Sequence, residues 1–244
     1  MISALELFKI GVGPSSSHTV GPMKAAAAFA AGLVASGAIR EVAGVEVTLF
    51  GSLAFTGKGH ATDKAVILGL SGLTPESVDP DEAEALTAQV RETKRLSVAG
   101  VRPVPFDPAT AIVFDILTAA PRHPNTLRLI ARNADGAPLA DETWLSVGGG
   151  FVLREGEPDG RAGEAQVPYP FRSGAELLAR GRETGLSIAD LIRANEDALR
   201  PVGAAEAHVR RVLDVMFACL ERGLARSGPL PGGLAVERRA KKKS

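Results

Sequence analysis

Two short stretches concentrate the side chains that could do chemistry. GVGPSSSHTVGP (Gly11–Pro22) sets Ser15, Ser16, Ser17, His18 and Thr19 between glycines and prolines, and FTGKGH (Phe55–His60) sets Lys58 and His60 among further glycines. The first run stands directly before a helical pattern, so free backbone N–H groups and the positive end of the helix dipole face the same loop. Hydroxyls, free amides and a histidine that titrates near neutrality make a cup for a small carboxylate or phosphate; the alternative is a solvated turn. The second run follows a strand pattern and precedes a helical one, the usual place for a ligand-binding loop. His60 there reads either as a base presented to a ligand or as a helix cap or surface residue, and Lys58 puts a cation nearby. Two histidine-bearing glycine loops at helix starts in one chain shift the balance toward a site.

The second loop has the look of a phosphate-binding loop without its spacing. Five residues separate Gly51 from Gly57-Lys58 where four are required, and Gly59 stands where a magnesium-binding Ser or Thr belongs. That argues against a nucleotide site. His123, in the proline-pinned PRHPN, is a weaker candidate for a pocket. His208, in AEAHVRR, reads as an exposed helical residue, and Asn195-Glu196 are open between capping and salt bridging.

These loops need elements to hold them. PMKAAAAFAAGLVASG predicts a helix with Pro22 in its first turn and Gly37 as its stop, its alanines suited to close packing against a sheet. Val42–Leu53 alternates and is β-branched, which predicts a strand. ATDKAVILGLSG is a short apolar helix, and Asp79–Arg95 is a second, acidic in its first turn and basic in its last. SVAGVRPVPF predicts a short strand or extended segment limited by its prolines. TLRLIARNA and PLADETWLSVG read as partner strands around an Asp135-Gly136 turn, followed by GGGFVL. Ser173 and Ser187 are suited to cap two helices. A last helix, from about Val202 to Arg226, carries Val212, Val215, Met216, Cys219 and Leu220 on one face, where Cys219 reads as a small buried hydrophobe. SGPLPGGLAV then reads as an interdomain linker toward a further domain.

Composition narrows the partners. In 244 residues, 28 Lys and Arg balance 28 Asp and Glu, which gives no electrostatic reason to expect nucleic acid or an anionic membrane. No apolar run approaches a membrane span and no signal-peptide layout opens the chain, so a cytoplasmic protein is expected. The single cysteine cannot form an intrachain disulfide, nor hold a zinc or iron–sulfur site by itself. No metal ligands are therefore expected in this chain.

FKIGVGPSSSHTVGPMKA, FGSLAFTGKGHATDKAVILGL, SVGGGF and VPYPFRSGAEL, in this order, resemble the N-terminal (β) half of the bacterial iron–sulfur L-serine dehydratases. The resemblance runs from about residue 2 to the linker near Pro231. It implies an α+β fold with a mixed sheet and packed helices, loosely similar to ACT and regulatory substrate-binding domains. The implied domain spans 1–170, with 171–226 as its helical continuation and 227–244 as a linker toward a cluster-binding domain. It implies a lyase that converts L-serine to pyruvate and ammonia, with His60 as the base that takes the α-proton. Ser15, Ser16, Ser17, His18, Thr19 and Lys58 are then expected to bind substrate. The [4Fe-4S] cluster is expected on a separate α domain or subunit, because Cys219 matches no ligand motif. A homo-oligomer is expected, and this chain alone is expected to be inactive. The competing reading is a stand-alone serine-sensing module, which would need anion donors but no base.

Overall fold

A computed structural model describes residues 3–120, 122–157, 166–230 and 236–240. The chain clusters into two compact units: Gly11–Pro158 with Pro229–Glu237, and Met1–Ile10 with Asp159–Gly228 and Arg238–Ser244. This division is drawn differently from the expected segments, because the first ten residues group with the C-terminal helices. Positions 231–235 and 241–244 of the expected linker lie outside the described residues.

The larger unit is an α+β fold. A π-helical turn, Ser16–Val20, runs into α1 (Gly21–Ala35). Then come β1 (Gly44–Gly51), α2 (Ser52–Thr56), α3 (Thr62–Leu70), α4 (Pro80–Thr93), β2 (Arg95–Val98), β3 (Arg102–Pro105), α5 (Pro108–Ala111) and β4 (Ile112–Asp115). The unit continues through β5 (Asn125–Arg132), β6 (Pro138–Gly148) and β7 (Phe151–Arg154). Five strands form one mixed sheet in the order β4-β1-β5-β6-β7, in which only the β1–β4 pair is parallel. β2 and β3 form a separate antiparallel hairpin, so the short-strand reading of SVAGVRPVPF holds and the segment is two strands rather than one.

Strand alternation builds the core. Val45, Val47 and Leu49 of β1 stand opposite Ala131, Leu129 and Leu127 of β5, and all six are buried. Each leucine so buried contributes roughly 1.5–3 kcal/mol relative to an exposed one. The alanines of α1 do what their size allows. Ala25, Ala26 and Ala30 are fully buried, and α1 lies against α3, β6 and β7. The crossing of α1 and α3 is close enough that a Cβ on Gly69 would come within 2.3 Å of the Met23 carbonyl oxygen. Asp79 caps α4 through the amides of Asp81 (2.7 Å) and Glu82 (3.3 Å), as its acidic first turn predicts.

The smaller unit holds α6 (Gly174–Thr184), α7 (Ile188–Leu199) and α8 (Ala204–Ala225). Ser173 and Ser187 cap α6 and α7 as expected, accepting from the amides of Glu176 (3.2 Å) and Asp190 (3.1 Å). Asn195 and Glu196 are both buried. The Asn195 amide exchanges two 2.8 Å hydrogen bonds with the Tyr169 backbone, while Glu196 accepts from Ser3 Oγ and pairs with Arg200. Two expectations for α8 are corrected. Cys219 is exposed rather than buried, because among the described residues nothing covers its face of the helix. His208, expected in solvent, has a buried Nε2. No helix among the described residues is long and apolar enough to cross a membrane.

Candidate active site

The serine run is helical rather than a loop. Ser15 stays extended and its Oγ accepts from the His18 amide at 3.2 Å, while the amides of Thr19 and Val20 both donate to its carbonyl at 3.1 and 3.2 Å. These bonds wind Ser16–Val20 into a wide turn that leads straight into α1, so the helix begins before Pro22. Thr19 and Val20 are buried, Ser15, Ser17 and His18 half-buried, and Ser16 exposed. The Ser16 hydroxyl has no hydrogen bond to the described residues and is open to a ligand.

The second loop meets the first. β1 ends at Gly51, α2 follows, and a tight turn through Gly57–Ala61 delivers His60 just ahead of α3. Gly57 is required there by space. A Cβ on it would lie 2.1 Å from the Leu53 carbonyl oxygen and 2.9 Å from the Phe114 ring. Ala61 adopts a left-handed conformation (φ 54°), a strained setting for a residue with a Cβ and next in sequence to His60.

The two imidazoles face each other with ring centroids 4.7 Å apart and planes tilted by 34°. His18 is held at both nitrogens, Nδ1 by Ser17 Oγ and Nε2 by Ser52 Oγ, each at 2.9 Å. His60 Nδ1 lies 2.9 Å from the Thr56 carbonyl oxygen. A carbonyl oxygen only accepts, so Nδ1 carries the hydrogen, and in the neutral ring Nε2 is left with the free lone pair. That is the tautomer a proton acceptor needs.

Backbone clamps fix the pair. Thr19 Oγ1 donates to the His60 carbonyl at 3.0 Å, and Thr62 Oγ1 donates to the His18 carbonyl at 2.6 Å, so each loop holds the other's histidine. Ser146, fully buried on β6, donates to the Ser17 carbonyl at 2.8 Å. A Cβ on Gly21 would lie 2.0 Å from Ser146 Oγ, so only glycine permits this approach. Asn125 Nδ2 donates to the Ser146 carbonyl at 3.2 Å, and the amide of Asn125 donates to His123 Nδ1 at 3.0 Å. His123 thus braces the start of β5.

The serine turn, His18 and His60 are therefore brought together, whereas Lys58 turns elsewhere. It is exposed, with Nζ 5.4 Å from the centre of the Phe114 ring. Ser52, Thr56, Thr62, Asn125 and Ser146 were not among the candidates from sequence. Ser146 lies within SVGGGF and Ser52 and Thr62 within the long GSLAFTGKGHATD stretch, so the motifs contained them without indicating their partners. Among the described residues no group of three or more His, Cys, Asp or Glu could hold a metal ion.

Burial lowers the pKa of His18 below the usual 6.5, the neighbouring His60 lowers it further, and the hydrogen bond to Ser52 opposes both. The unfolded chain then takes up the proton more readily than the folded one. The contribution of His18 to stability is complete above about pH 6.5 and is lost as pH falls through the folded value. Urea unfolding followed on either side of this range is expected to show stability falling toward acid, and His18→Gln is expected to flatten that part of the profile. An unchanged slope in the variant would remove His18 as its source.

A match to the serine dehydratase beta chain family covers residues 3–157, the segment that contains both loops, Ser146 and the whole sheet. Over 242–243 residues, 98% of this chain, it is 44% identical to an L-serine dehydratase of Streptomyces coelicolor and 45% to the L-serine dehydratase TdcG of Escherichia coli. An L-serine dehydratase of Mycobacterium bovis is 40% identical over 242 residues. The chain spans about half the length of these relatives, 52–53%. The family match covers well over half of the chain, and on that ground the protein belongs to the serine dehydratase beta chain family.

Proposed function

We propose that this chain is the β half of an L-serine ammonia-lyase and supplies the proton acceptor and the carboxylate-binding turn of its active site. The observation that carries this reading is the fixed tautomer of His60, with Nδ1–H donated to Thr56 and Nε2 free. A sensor would need anion donors but no such base.

In the proposed reaction the serine α-proton and β-hydroxyl leave, giving 2-aminoacrylate and water. The enamine then takes up water to give pyruvate and ammonia. His60 Nε2 accepts the α-proton. Ser16 Oγ, with the hydroxyls of Ser15 and Ser17 beside it, binds the substrate carboxylate at the start of the turn. His18 braces the site from Ser52 and Ser17, and its neutral form keeps a second positive charge away from His60 as that ring takes the proton. Thr19 contributes through its clamp on the His60 carbonyl. Lys58 lies at the rim and contributes long-range attraction for the carboxylate.

The residues present do not fit an iron–sulfur cluster, because the one cysteine lies exposed on α8 and no ligand group surrounds it among the described residues. We assign a [4Fe-4S] cluster to the other half of the enzyme, where a Lewis acid would assist departure of the hydroxyl. This chain alone is then inactive, and the assembled cytoplasmic enzyme is a homo-oligomer of paired halves. The test is anaerobic co-expression of this chain with the half of the Streptomyces coelicolor relative that it does not match, followed by pyruvate release from L-serine. In that assembly Ser16→Ala is expected to raise KM roughly 10–100-fold, the loss of one hydrogen bond to a charged group, with kcat changed less. No pyruvate from a cluster-loaded assembly would refute the lyase reading, and an unchanged KM would remove the turn as the carboxylate site.

A further inference from the structure

The helical unit exposes an apolar face of a kind that soluble proteins rarely leave open. On α8, Leu213, Phe217, Leu220 and Leu224 recur at i, i+4, i+7 and i+11, flanked by Val209 and Met216. All six are exposed, Phe217 at 62% and Leu220 at 60%. The face continues into a cavity of about 600 Å³, where Leu7, Phe8 and Ile192 meet Val212 and His208. His208 Nε2 is buried there with no hydrogen-bond partner among the described residues, a costly state for a polar atom. Contiguous exposed apolar surface of this kind marks a binding face.

We propose that the occupant of this face is the half of the dehydratase that the relatives possess and this chain does not match. The assignment rests on the reading of this chain as half of an enzyme. Three observations select that occupant. The relatives align over 98% of this chain, helices included, yet this chain accounts for only 53% of the Streptomyces coelicolor protein, so the helical unit there coexists with a comparable length of further polypeptide. The serine dehydratase beta chain match ends at residue 157, before α6, so these helices lie outside the part that defines the β family. They also form a compact unit apart from the sheet. The α6–α8 unit is thus the platform on which the other half packs, with Leu213, Phe217, Leu220 and Leu224 as its apolar ridge. A polar group of that half hydrogen-bonds to His208 Nε2.

The test uses this chain, tagged and co-expressed with the unmatched segment of the Streptomyces coelicolor relative so that the two fold in each other's presence. The pair is expected to co-purify. The double variant Leu213→Glu, Leu220→Glu is expected to weaken the association at least about 30-fold, the scale of an interface hot spot. Both positions are exposed, so the charges leave the chain folded, as its circular dichroism would verify. Arg211→Glu, an exposed control on the same helix, is expected to bind as the unaltered chain does. Equal binding by the double variant overturns the proposal. So does failure of the unaltered chain to capture the segment, and self-association abolished by the same charges would then identify a second copy as the occupant. A captured segment that yields no pyruvate leaves the surface standing and removes the lyase reading. Pyruvate formation undiminished in the double variant does the reverse.

Discussion

Glutamine in place of His60 is expected to lower kcat of the assembled enzyme by at least about 10²-fold, with KM moved far less. A positioned general base contributes about 10²–10⁴-fold, so the loss corresponds to at least about 2.7 kcal/mol of barrier. Glutamine can still donate to the Thr56 carbonyl that holds Nδ1 in the native ring, so the turn keeps its anchor while the titratable lone pair disappears. His18→Gln separates the two histidines, because His18 has both nitrogens engaged by Ser17 and Ser52 and lacks a free lone pair. If His18→Gln abolished turnover and His60→Gln left it near the native rate, the base would have to be reassigned.

The second large effect is expected from a single methyl group. Gly57→Ala brings a Cβ to 2.1 Å from a carbonyl oxygen of the preceding helix, 2.9 Å from the Phe114 ring and 3.0 Å from Thr62 Oγ1. The backbone at Gly57 is ordinary right-handed helix, so the cost is entirely one of space. Overpacking of this kind costs about 1–3 kcal/mol, which lowers Tm by roughly 2–12 °C for a unit of this size. The displaced Thr62 hydroxyl would release the His18 carbonyl as well. Gly59→Ala is the matched control, since its Cβ would meet only the Thr56 oxygen, at an ordinary 3.5 Å. Calorimetry that gave equal Tm values for the two variants would show that the turn relaxes around the methyl.

The chain's patterns announced most of the elements but few of their attachments. Pro22, Gly37 and the alanines placed α1, and the alternation of β1 and β5 placed the core, because local sterics and burial fix both. Serine and threonine are weak helix formers, so the sequence predicts a loop where the structure has a π-helical turn at Ser16–Val20. It is held from a distance, by Thr62 and Ser146, which no local pattern indicates. Nor does a local pattern point to Ser52, whose partner, His18, lies 34 residues earlier. β4 was not foreseen, since four residues offer too short a period to read and its partner β1 is parallel and remote. For Cys219 the apolar periodicity of α8 was real. Periodicity identifies a face that avoids water, but not the surface that covers it.

The exchange of hydroxyl bonds between Thr19 and the His60 carbonyl, and between Thr62 and the His18 carbonyl, also bears on substrate choice. Because each loop is tethered through the other's main chain, the proposed base and the proposed carboxylate-binding turn are tied together as one jaw with a fixed bite. A bulkier amino acid cannot be admitted by sliding one loop away, since that breaks both tethers at once. In the proposed two-half enzyme, any retuning of side-chain preference is therefore expected to come from the wall that faces these loops. On that proposal these two loops are a constant chemical edge against which different pockets can close.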